Sequence, residues 1–272
     1  MLQLEKLMSA PITIDIESTI DEVVKIMLEK KIRRVLVTEN KKIPSIITEK
    51  DLGLFLLKDN SDRTLQQIPS RELVKPILTI SQSAKSQDGA KIMLENNIGS
   101  LGIISNEKDI VGIITKTDLI RDFAKNHQNE KTVGQYMSTQ YSWVYSDILL
   151  SEAVSKMVED KISRVIVKNK EEIPIGIITF RDLFNLVITM GAQRDVIFPK
   201  SFESEHGMGK TLKVDEVMRN EIITVSYSDD LAKVCQLLLE NNINGVGVLS
   251  NKGDLIGILS KTDIIKAIVS LN

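Results

Sequence analysis

The chain has 272 residues, 42% of them hydrophobic and 26% charged, a balance typical of soluble globular domains and long enough for two of them. The formal net charge of −2 and an aromatic content of only 4% argue against a protein that binds nucleic acid through bulk positive charge or base stacking. One cysteine and two histidines exclude an internal disulfide and provide no metal-binding or catalytic cluster.

The isolated reactive side chains have ordinary structural explanations. Cys235 shares a predicted helical face with aliphatic residues, which predicts a buried thiol and not a reactive one. His127 and His206 lie in separate polar stretches. The N-terminus lacks a signal pattern and no apolar run approaches the roughly 18 residues of a membrane span. We therefore expect a cytoplasmic protein that has no membrane partner.

In chain order, the first predicted elements form a unit that recurs. An extended stretch, PITI (11–14), precedes a helix whose apolar residues recur at i, i+3, i+4 and i+7. These residues are Ile20, Val23, Val24 and Met27. The β-rich stretch IRRVLV (32–37) and the phrase SIITEKDL (45–52) follow. The pattern predicts a strand, helix, strand, strand and helix within about 60 residues, a length typical of a structural repeat.

Three further copies follow the first. Their β-rich stretches are IGSLGII (98–104), ISRVIV (162–167) and INGVGVL (243–249), and their phrases are GIITKTDL (112–119), GIITFRDL (176–183) and GILSKTDI (257–264). The helix of the third copy repeats the apolar spacing with Leu150, Ala153, Val154 and Met157. Odd copies resemble odd copies and even copies resemble even copies. We therefore predict that a pair of repeats was duplicated as a pair.

This duplication predicts two modules, at 1–124 and 130–272. The repeats would occupy about 1–60, 68–124, 130–190 and 212–272, and the polar stretch 121–132 would link the modules. The second module is longer between its repeats than the first. The extra residues predict an extended loop at 189–212.

Each phrase places a hydroxyl residue three positions before an aspartate, which is close to a capping box at a helix start. The four pairs are Thr48 and Asp51, Thr115 and Asp118, Thr179 and Asp182, and Ser260 and Asp263. A helix start beside a strand end also attracts anions, so the same residues can cap a helix and bind a ligand. The phrase alone leaves both interpretations open.

Basic residues distinguish the copies. The odd copies carry Arg33, Arg34 and Arg164 where the second strand begins, whereas the even copies carry small residues there. Arginine matches phosphate oxygens well, although a solvated surface arginine explains the pattern equally. Four more cations lie inside the phrases and could add charge or simply point to water: Lys50, Lys116, Arg181 and Lys261.

The repeated unit and its Gly-Ile-Ile-Thr-x-x-Asp phrase resemble the cystathionine-β-synthase (CBS) domain, two of which form a Bateman module. Four copies in order cover nearly the whole chain and are similar to the γ subunit of AMP-activated protein kinase and to stand-alone archaeal CBS proteins. The resemblance implies an α/β fold of four β-α-β-β-α repeats paired into two tandem Bateman modules.

The resemblance also implies site residues. The hydroxyl residues and aspartates of the four phrases would hold ribose, and Arg33, Arg34, Arg164, Lys116 and Lys261 would hold phosphate. The base would lie against the first strands, at Thr13, Ile14, Thr79, Ile80, Thr224 and Val225. The third copy has Trp143 and Tyr145 there, which could fill the slot or stack on a base. Ser45 stands where the other phrases begin with glycine.

We therefore predict a non-catalytic regulatory protein whose ligand is an adenine nucleotide, AMP, ADP or ATP. It would sense energy state and report occupancy to an effector protein in trans, and the family leads us to expect self-association. One alternative is an interaction scaffold with empty clefts. Another is a nucleic-acid-responsive regulator, which the charge balance disfavours. The stretch GMGKT (207–211) lacks the first glycine of a phosphate-binding loop, because Ser204 stands there.

Overall fold

The structure is a computed structural model that describes residues 2–40, 42–59, 61, 63–192 and 208–271. It confirms the predicted α/β fold with four repeats of strand, helix, strand, strand and helix. The first repeat comprises β1 (Thr13–Asp15), α1 (Ile20–Glu29), β2 (Arg34–Glu39), β3 (Lys42–Thr48) and α2 (Glu49–Lys58). The second comprises β5 (Thr79–Ser81), α3 (Ser86–Glu95), β6 (Ser100–Ile104), β7 (Ile110–Thr115) and α4 (Lys116–Asn126), and the short strand β4 (Lys75–Pro76) before it pairs with β3 of the first repeat.

The second half of the chain repeats this order. The third repeat comprises β8 (Trp143–Tyr145), α5 (Leu150–Glu159), β9 (Arg164–Lys168), β10 (Pro174–Thr179) and α6 (Phe180–Ala192). The fourth comprises α7 (Met208–Thr211), β11 (Thr224–Ser226), α8 (Leu231–Glu240), β12 (Gly245–Leu249), β13 (Leu255–Ser260) and α9 (Lys261–Val269). In every repeat the first strand pairs in parallel with the second, and the second pairs antiparallel with the third.

The predicted apolar faces form the cores. In α1 and α5, all eight residues at the i, i+3, i+4 and i+7 positions are buried, as the spacing requires of a helix on one face of a sheet. Thr19 caps α1 through a reciprocal bond with Glu22. In α3 the equivalent face has small residues, and a Cβ added at Gly89 would lie 3.4 Å from the Leu4 side chain. The small residues therefore make room for Leu4, which is fully buried.

Contacts divide the chain into two compact units that alternate along the sequence. Unit 1 contains Met1–Pro11, Ile77–Tyr141 and Ile223–Asn272, and so holds the second and fourth repeats. In it α4 packs against α8 and α9, and α3 packs against α9. Unit 2 contains Ile12–Pro76 and Ser142–Ile222, and so holds the first and third repeats, with α2 packed against α6. The boundaries of the two modules predicted from the duplication remain a prediction.

Helix contacts group the odd repeats and the even repeats, and the unit boundaries fall after the segment leading into each repeat because that segment packs against the other repeat of the same half of the chain. We term these stretches lead-in segments; they are residues 3–11, 64–76, 132–141 and 213–222. In unit 1, Ser9 pairs with Ile113 and Ser138 pairs with Ile258. In unit 2, Lys75 pairs with Ile46 and Arg219 pairs with Ile177. Each lead-in segment thus lies beside the last strand of the repeat that it contacts.

The glycine that begins three of the phrases lets the lead-in backbone approach the phrase strand closely. A Cβ at Gly176 would lie 2.5 Å from the carbonyl oxygen of Arg219, and one at Gly257 would lie 2.7 Å from that of Ser138. In the first repeat Ser45 occupies this position, is buried and pairs with Pro76. The glycines therefore serve the close approach of two backbones.

Two predicted connections differ in detail from the structure. The predicted linker 121–132 begins inside α4, which continues to Asn126 because Phe123 and Ala124 are buried in the core of unit 1. The predicted loop 189–212 is helical at both described ends, since α6 reaches Ala192 and α7 covers Met208–Thr211. Most of the predicted loop, including Ser204 and His206, lies outside the described residues.

Candidate functional site

The four phrases start helices by the same hydrogen bonds. Each hydroxyl residue ends the third strand of its repeat and donates from its side chain to Oδ2 of the phrase aspartate, at 2.5 Å in the first repeat and 2.6 Å in the other three. The same Oδ2 accepts the backbone N–H of the hydroxyl residue at 2.8–3.1 Å. The helix-cap interpretation therefore accounts for Oδ2 in all four repeats.

The second carboxylate oxygen of each phrase contacts a cation. Oδ1 of Asp118 accepts from Arg121 at 2.8 Å, and Oδ1 of Asp182 accepts from Arg219 Nε at 2.7 Å. The corresponding cations are Lys75 for Asp51 and Lys266 for Asp263. The four aspartates are buried, whereas the side chains of the four cations are 43–62% exposed. Each Oδ1 is thus a buried acceptor covered by a side chain that can move into solvent.

Sequence reasoning did not identify these four cations. In the even repeats the cation lies three residues after the aspartate on the same helix, a spacing that the sequence displays. In the odd repeats it comes from the lead-in segment of the following repeat, which only the tertiary structure brings near. Ser138, at the corresponding place in the lead-in segment of the third repeat, donates to Asp263 Oδ1 at 3.2 Å. The lead-in segments therefore contribute to the candidate sites.

The strand registers place the predicted arginines beside the phrases. Arg34 pairs with Thr48 across β2 and β3, and Arg164 pairs with Thr179 across β9 and β10. Opposite residues of antiparallel strands project their side chains to the same face of a sheet. The even repeats have Ser100 and Gly245 at the matching positions. The odd repeats alone therefore combine a phrase with an arginine on the neighbouring strand.

Arg33 precedes this strand and contacts a carboxylate. Its Nε lies 3.8 Å from Glu49 Oε2, and Arg181 Nε lies 3.9 Å from Glu49 Oε1. Burial raises the pKa of Glu49 above its ordinary value, and the two arginines oppose that shift. Burial likewise lowers the pKa of Arg33, against the attraction of Glu49. Unit 2 thus has a partly buried charge cluster at the start of α2 and α6.

The two lysines predicted to bind phosphate lie together in unit 1. Lys116 Nζ donates to Thr262 Oγ1 at 2.9 Å, and Lys261 Nζ donates to Thr117 Oγ1 at 3.0 Å. Both lysines occupy the first position of their helices, and Lys261 is buried. A cation at a helix N-terminus meets the positive end of the helix dipole, so two such lysines make this region attractive to an anion.

The predicted base-pocket residues alternate along the first strands. Thr13, Thr79 and Thr224 are exposed. Ile14 and Val225 are buried in the cores, and Ile80 packs partly against one. In the third repeat, Trp143 lies edge-on to Tyr145. Lys168 Nζ lies 4.4 Å from the centroid of the Trp143 ring. The side chains of Trp143 and Tyr145 therefore contact each other at this strand, and base binding here remains a prediction.

A groove of about 550 Å³ in unit 1 lies at the start of α8. Its lining includes Val225 but also Asp229 and Asp230, and none of the phrase residues. Its two carboxylates outnumber its one lysine, Lys233, and this negative balance disfavours a phosphate chain. We therefore assign the candidate sites to the phrases and not to this groove.

The described residues provide little for catalysis. They contain no cluster of His, Cys, Asp and Glu suited to a metal ion. Cys235 is buried, and burial raises the pKa of its thiol. His127 is stacked on Phe123 and hydrogen-bonded to Glu130 at 2.9 Å.

Of the helices that the structure describes, none has the length and apolar character needed to cross a bilayer.

Comparisons with known proteins agree with the repeat structure. The Methanocaldococcus jannaschii protein MJ1225 is 23% identical over an alignment of 269 positions that covers 94% of each chain. Its crystal structure superposes with a TM-score of 0.81 and covers 98% of this chain and 99% of that one. An uncharacterized conserved protein from Pyrococcus horikoshii has a TM-score of 0.68 at 20% identity and covers 98% of this chain and 100% of that one. At these identities the likeness concerns the fold.

A shorter match involves a named enzyme. L-aspartate semialdehyde sulfurtransferase of Methanocaldococcus jannaschii is 31% identical over 114 residues, which are 42% of this chain and 22% of that protein.

The family model described as CBS domain matches four times, at residues 4–57, 67–125, 133–189 and 214–270. These matches cover most of the chain and each contains one of the four phrases. The chain therefore belongs to the CBS domain family, with four repeats.

Proposed function

We propose that this protein binds adenine nucleotides at its phrases and acts as a non-catalytic regulatory subunit or sensor. The observation that carries the proposal is the shared arrangement of the four buried aspartates. One oxygen of each is fixed by the helix cap, and the other is covered by an exposed cation. The crystal structure of MJ1225 is described as that of a proposed archaeal homologue of γ-AMPK, which supports the same role.

The chemistry of the arrangement suits a ribose. The cap holds the carboxylate in one orientation, so that binding costs little ordering of the side chain. Oδ1 can accept hydrogen bonds from the sugar hydroxyls when the covering cation turns toward solvent. The displaced cation is then available to the phosphate of the same ligand. Arg34 and Arg164, on the neighbouring strands, would add guanidinium groups suited to phosphate oxygens.

The proposal includes no chemical step on the ligand. The stretch aligned with the sulfurtransferase spans less than a quarter of that enzyme. Binding would instead favour one arrangement of the repeats over another, and an effector protein in trans would recognise the difference. The ligand would be AMP, ADP or ATP, because all three carry the ribose and base that the sites would recognise. Self-association and a cytoplasmic location remain expectations.

The test is calorimetric titration of the full chain with adenosine, AMP, ADP, ATP and S-adenosylmethionine. Asp118→Asn keeps the shape of the side chain and removes the charge that the ribose hydroxyls would contact. We expect it to weaken nucleotide binding at its site on the order of 10- to 100-fold, as for loss of a hydrogen bond to a charged group. If several sites bind, the stoichiometry of tight binding would fall accordingly.

Asp88→Asn is the matched control. Asp88 is also the third residue of a helix in unit 1, and its carboxylate accepts the Lys85 N–H at 3.1 Å, but it is exposed and belongs to no phrase. It should leave nucleotide binding unchanged. If neither the intact protein nor either variant binds a nucleotide, the phrases are helix caps only.

The interaction scaffold is the second candidate. It is favoured by the fact that every phrase aspartate already has a cation at Oδ1, which would satisfy the carboxylate without a ligand. A nucleic-acid-responsive regulator would be indicated by salt-sensitive retention of RNA or DNA in place of nucleotide binding.

A further inference from the structure

We propose that the Glu49 carboxylate occupies an anion position between Arg33 and Arg181 and thereby selects against ligands with long phosphate chains in unit 2. The inference rests on the proposed function in one respect, since it takes the selected ligands to be nucleotides. It assigns Glu49 as a specificity-determining residue. The supporting contacts are the two ion pairs at 3.8 and 3.9 Å, one on each carboxylate oxygen.

Glu49 is unlike the residues at the same position in the other repeats. The first residue of each phrase helix donates its backbone N–H to the residue before the second strand, which establishes the equivalence. The four donors are Glu49, Lys116, Phe180 and Lys261. The even repeats thus have a cation at this position, the third repeat has an apolar ring, and only the first repeat has an anion.

The environment of Glu49 is costly for a carboxylate. Its side chain is 13% exposed, and Oε1 is buried without a hydrogen-bond partner among the described residues. Both guanidinium contacts are longer than a hydrogen bond. Burial of a charged group is unfavourable unless it is paired and hydrogen-bonded. The neighbouring arginines compensate the charge, but the geometry is poorer than the bidentate pairing that arginine makes with phosphate.

A phosphate that approaches these arginines must therefore compete with Glu49. The competing carboxylate is covalently attached, so each further phosphate charge meets repulsion from it whenever Glu49 is ionised. A ligand without phosphate is unaffected, because Glu49 lies in none of the contacts proposed for ribose. The predicted consequence is a preference of unit 2 for ligands with short or no phosphate chains.

The experiment measures binding of inorganic tripolyphosphate, adenosine, AMP and ATP to the full chain by calorimetry. Glu49→Gln retains the shape and removes the charge. We expect it to tighten tripolyphosphate and ATP binding on the order of tenfold, the size of one like-charge repulsion near a protein surface, and to leave adenosine unchanged. Glu49→Lys introduces the residue found in the even repeats and should tighten tripolyphosphate binding further.

Glu159→Gln is the control, because Glu159 is exposed in the same unit and its replacement changes the net charge equally. It should alter no affinity by more than about twofold, as expected for a screened surface charge. Thermal melting establishes that each variant is folded, and if Glu49→Gln is not, Glu49→Lys decides the question.

Tripolyphosphate has no ribose or base, which separates this inference from the proposed function. Tighter tripolyphosphate binding by Glu49→Gln supports the inference even if adenosine and AMP do not bind at all. Unchanged or weaker tripolyphosphate binding by the variant overturns it, as does an equal gain by Glu159→Gln. Absence of tripolyphosphate binding in both Glu49→Gln and Glu49→Lys overturns it as well, whether or not AMP binds through the aspartates.

Discussion

Replacement of Gly176 by alanine should displace the lead-in segment of the fourth repeat from the third. A Cβ at this position would lie 2.5 Å from the carbonyl oxygen of Arg219 and 2.8 Å from Met218 Sδ. The sulfur can move, because it ends a flexible side chain. The carbonyl cannot move alone, since Arg219 and Ile177 exchange backbone hydrogen bonds of 2.9 and 3.0 Å.

The expected loss follows from these contacts. Overpacking typically costs about 1–3 kcal/mol, and weakening the two backbone hydrogen bonds adds about 1 kcal/mol in total. We therefore expect Gly176→Ala to lower the free energy of unfolding by about 2–4 kcal/mol. For a chain of this size the melting temperature should fall by about 5–15 °C. Urea denaturation followed by circular dichroism, together with thermal melting, measures both quantities.

Gly53→Ala provides the control for a glycine in the same unit. Gly53 lies inside α2, and a Cβ there would meet only the Phe180 carbonyl oxygen, at 3.8 Å. Alanine in a helix interior is favoured over glycine by about 0.5–1 kcal/mol, so this variant should be slightly more stable than the wild type. The reasoning is refuted if Gly176→Ala is as stable as the wild type, because the lead-in segment would then not be packed against the phrase strand.

Two further predictions concern charged groups of unit 2. Because the folded protein raises the pKa of Glu49 above its ordinary value of 4.5, the folded state binds the proton more tightly than the unfolded state. The free energy of unfolding of the wild type relative to Glu49→Gln should therefore fall as pH rises from 4.5 through the raised pKa. Urea denaturation between pH 4 and 8 measures this difference in unfolding free energy, and a constant difference would contradict the prediction. The pair of Asp182 and Arg219 should show a coupling energy of about 1–2 kcal/mol in a double-mutant cycle with Asp182→Asn and Arg219→Gln, larger than most exposed pairs. A coupling near zero would mean that the pair does not form.

The sequence predicted the local features of the fold because local rules control them. Apolar spacing predicted the buried faces of α1 and α5, and the hydroxyl-to-aspartate spacing predicted the cap of each phrase helix. The β-rich stretches at 32–37 and 162–167 predicted β2 and β9, which begin two residues later, at Arg34 and Arg164. Each of these features depends on residues within about one turn or one strand of each other.

The remaining features depend on contacts between distant parts of the chain. The lead-in segments pack against another repeat, and no periodicity in the sequence predicts this packing. Lys75 and Arg219 consequently contact aspartates of the preceding repeat, which spacing alone could not predict. The sequence shows a glycine at the start of three phrases, but not why it is there. The structure gives the reason, because the backbone of Arg219 closely approaches Gly176 and that of Ser138 closely approaches Gly257.

The phrase therefore combines two kinds of position. Its hydroxyl and aspartate make the same cap in all four repeats. The two variable residues between them make the side-chain contacts that differ between unit 1 and unit 2. In unit 1 these positions pair reciprocally, Lys116 with Thr262 and Lys261 with Thr117. In unit 2 the reciprocal contacts are Glu49 with Arg181, and Lys50 with the ring of Phe180 at 5.6 Å. Because the backbone geometry is shared, a difference in ligand preference between the units would have to arise largely from these side chains. Exchange of the two variable residues between the first and second repeats should therefore transfer the anion preference that we propose from one unit to the other, as measured by titration with tripolyphosphate.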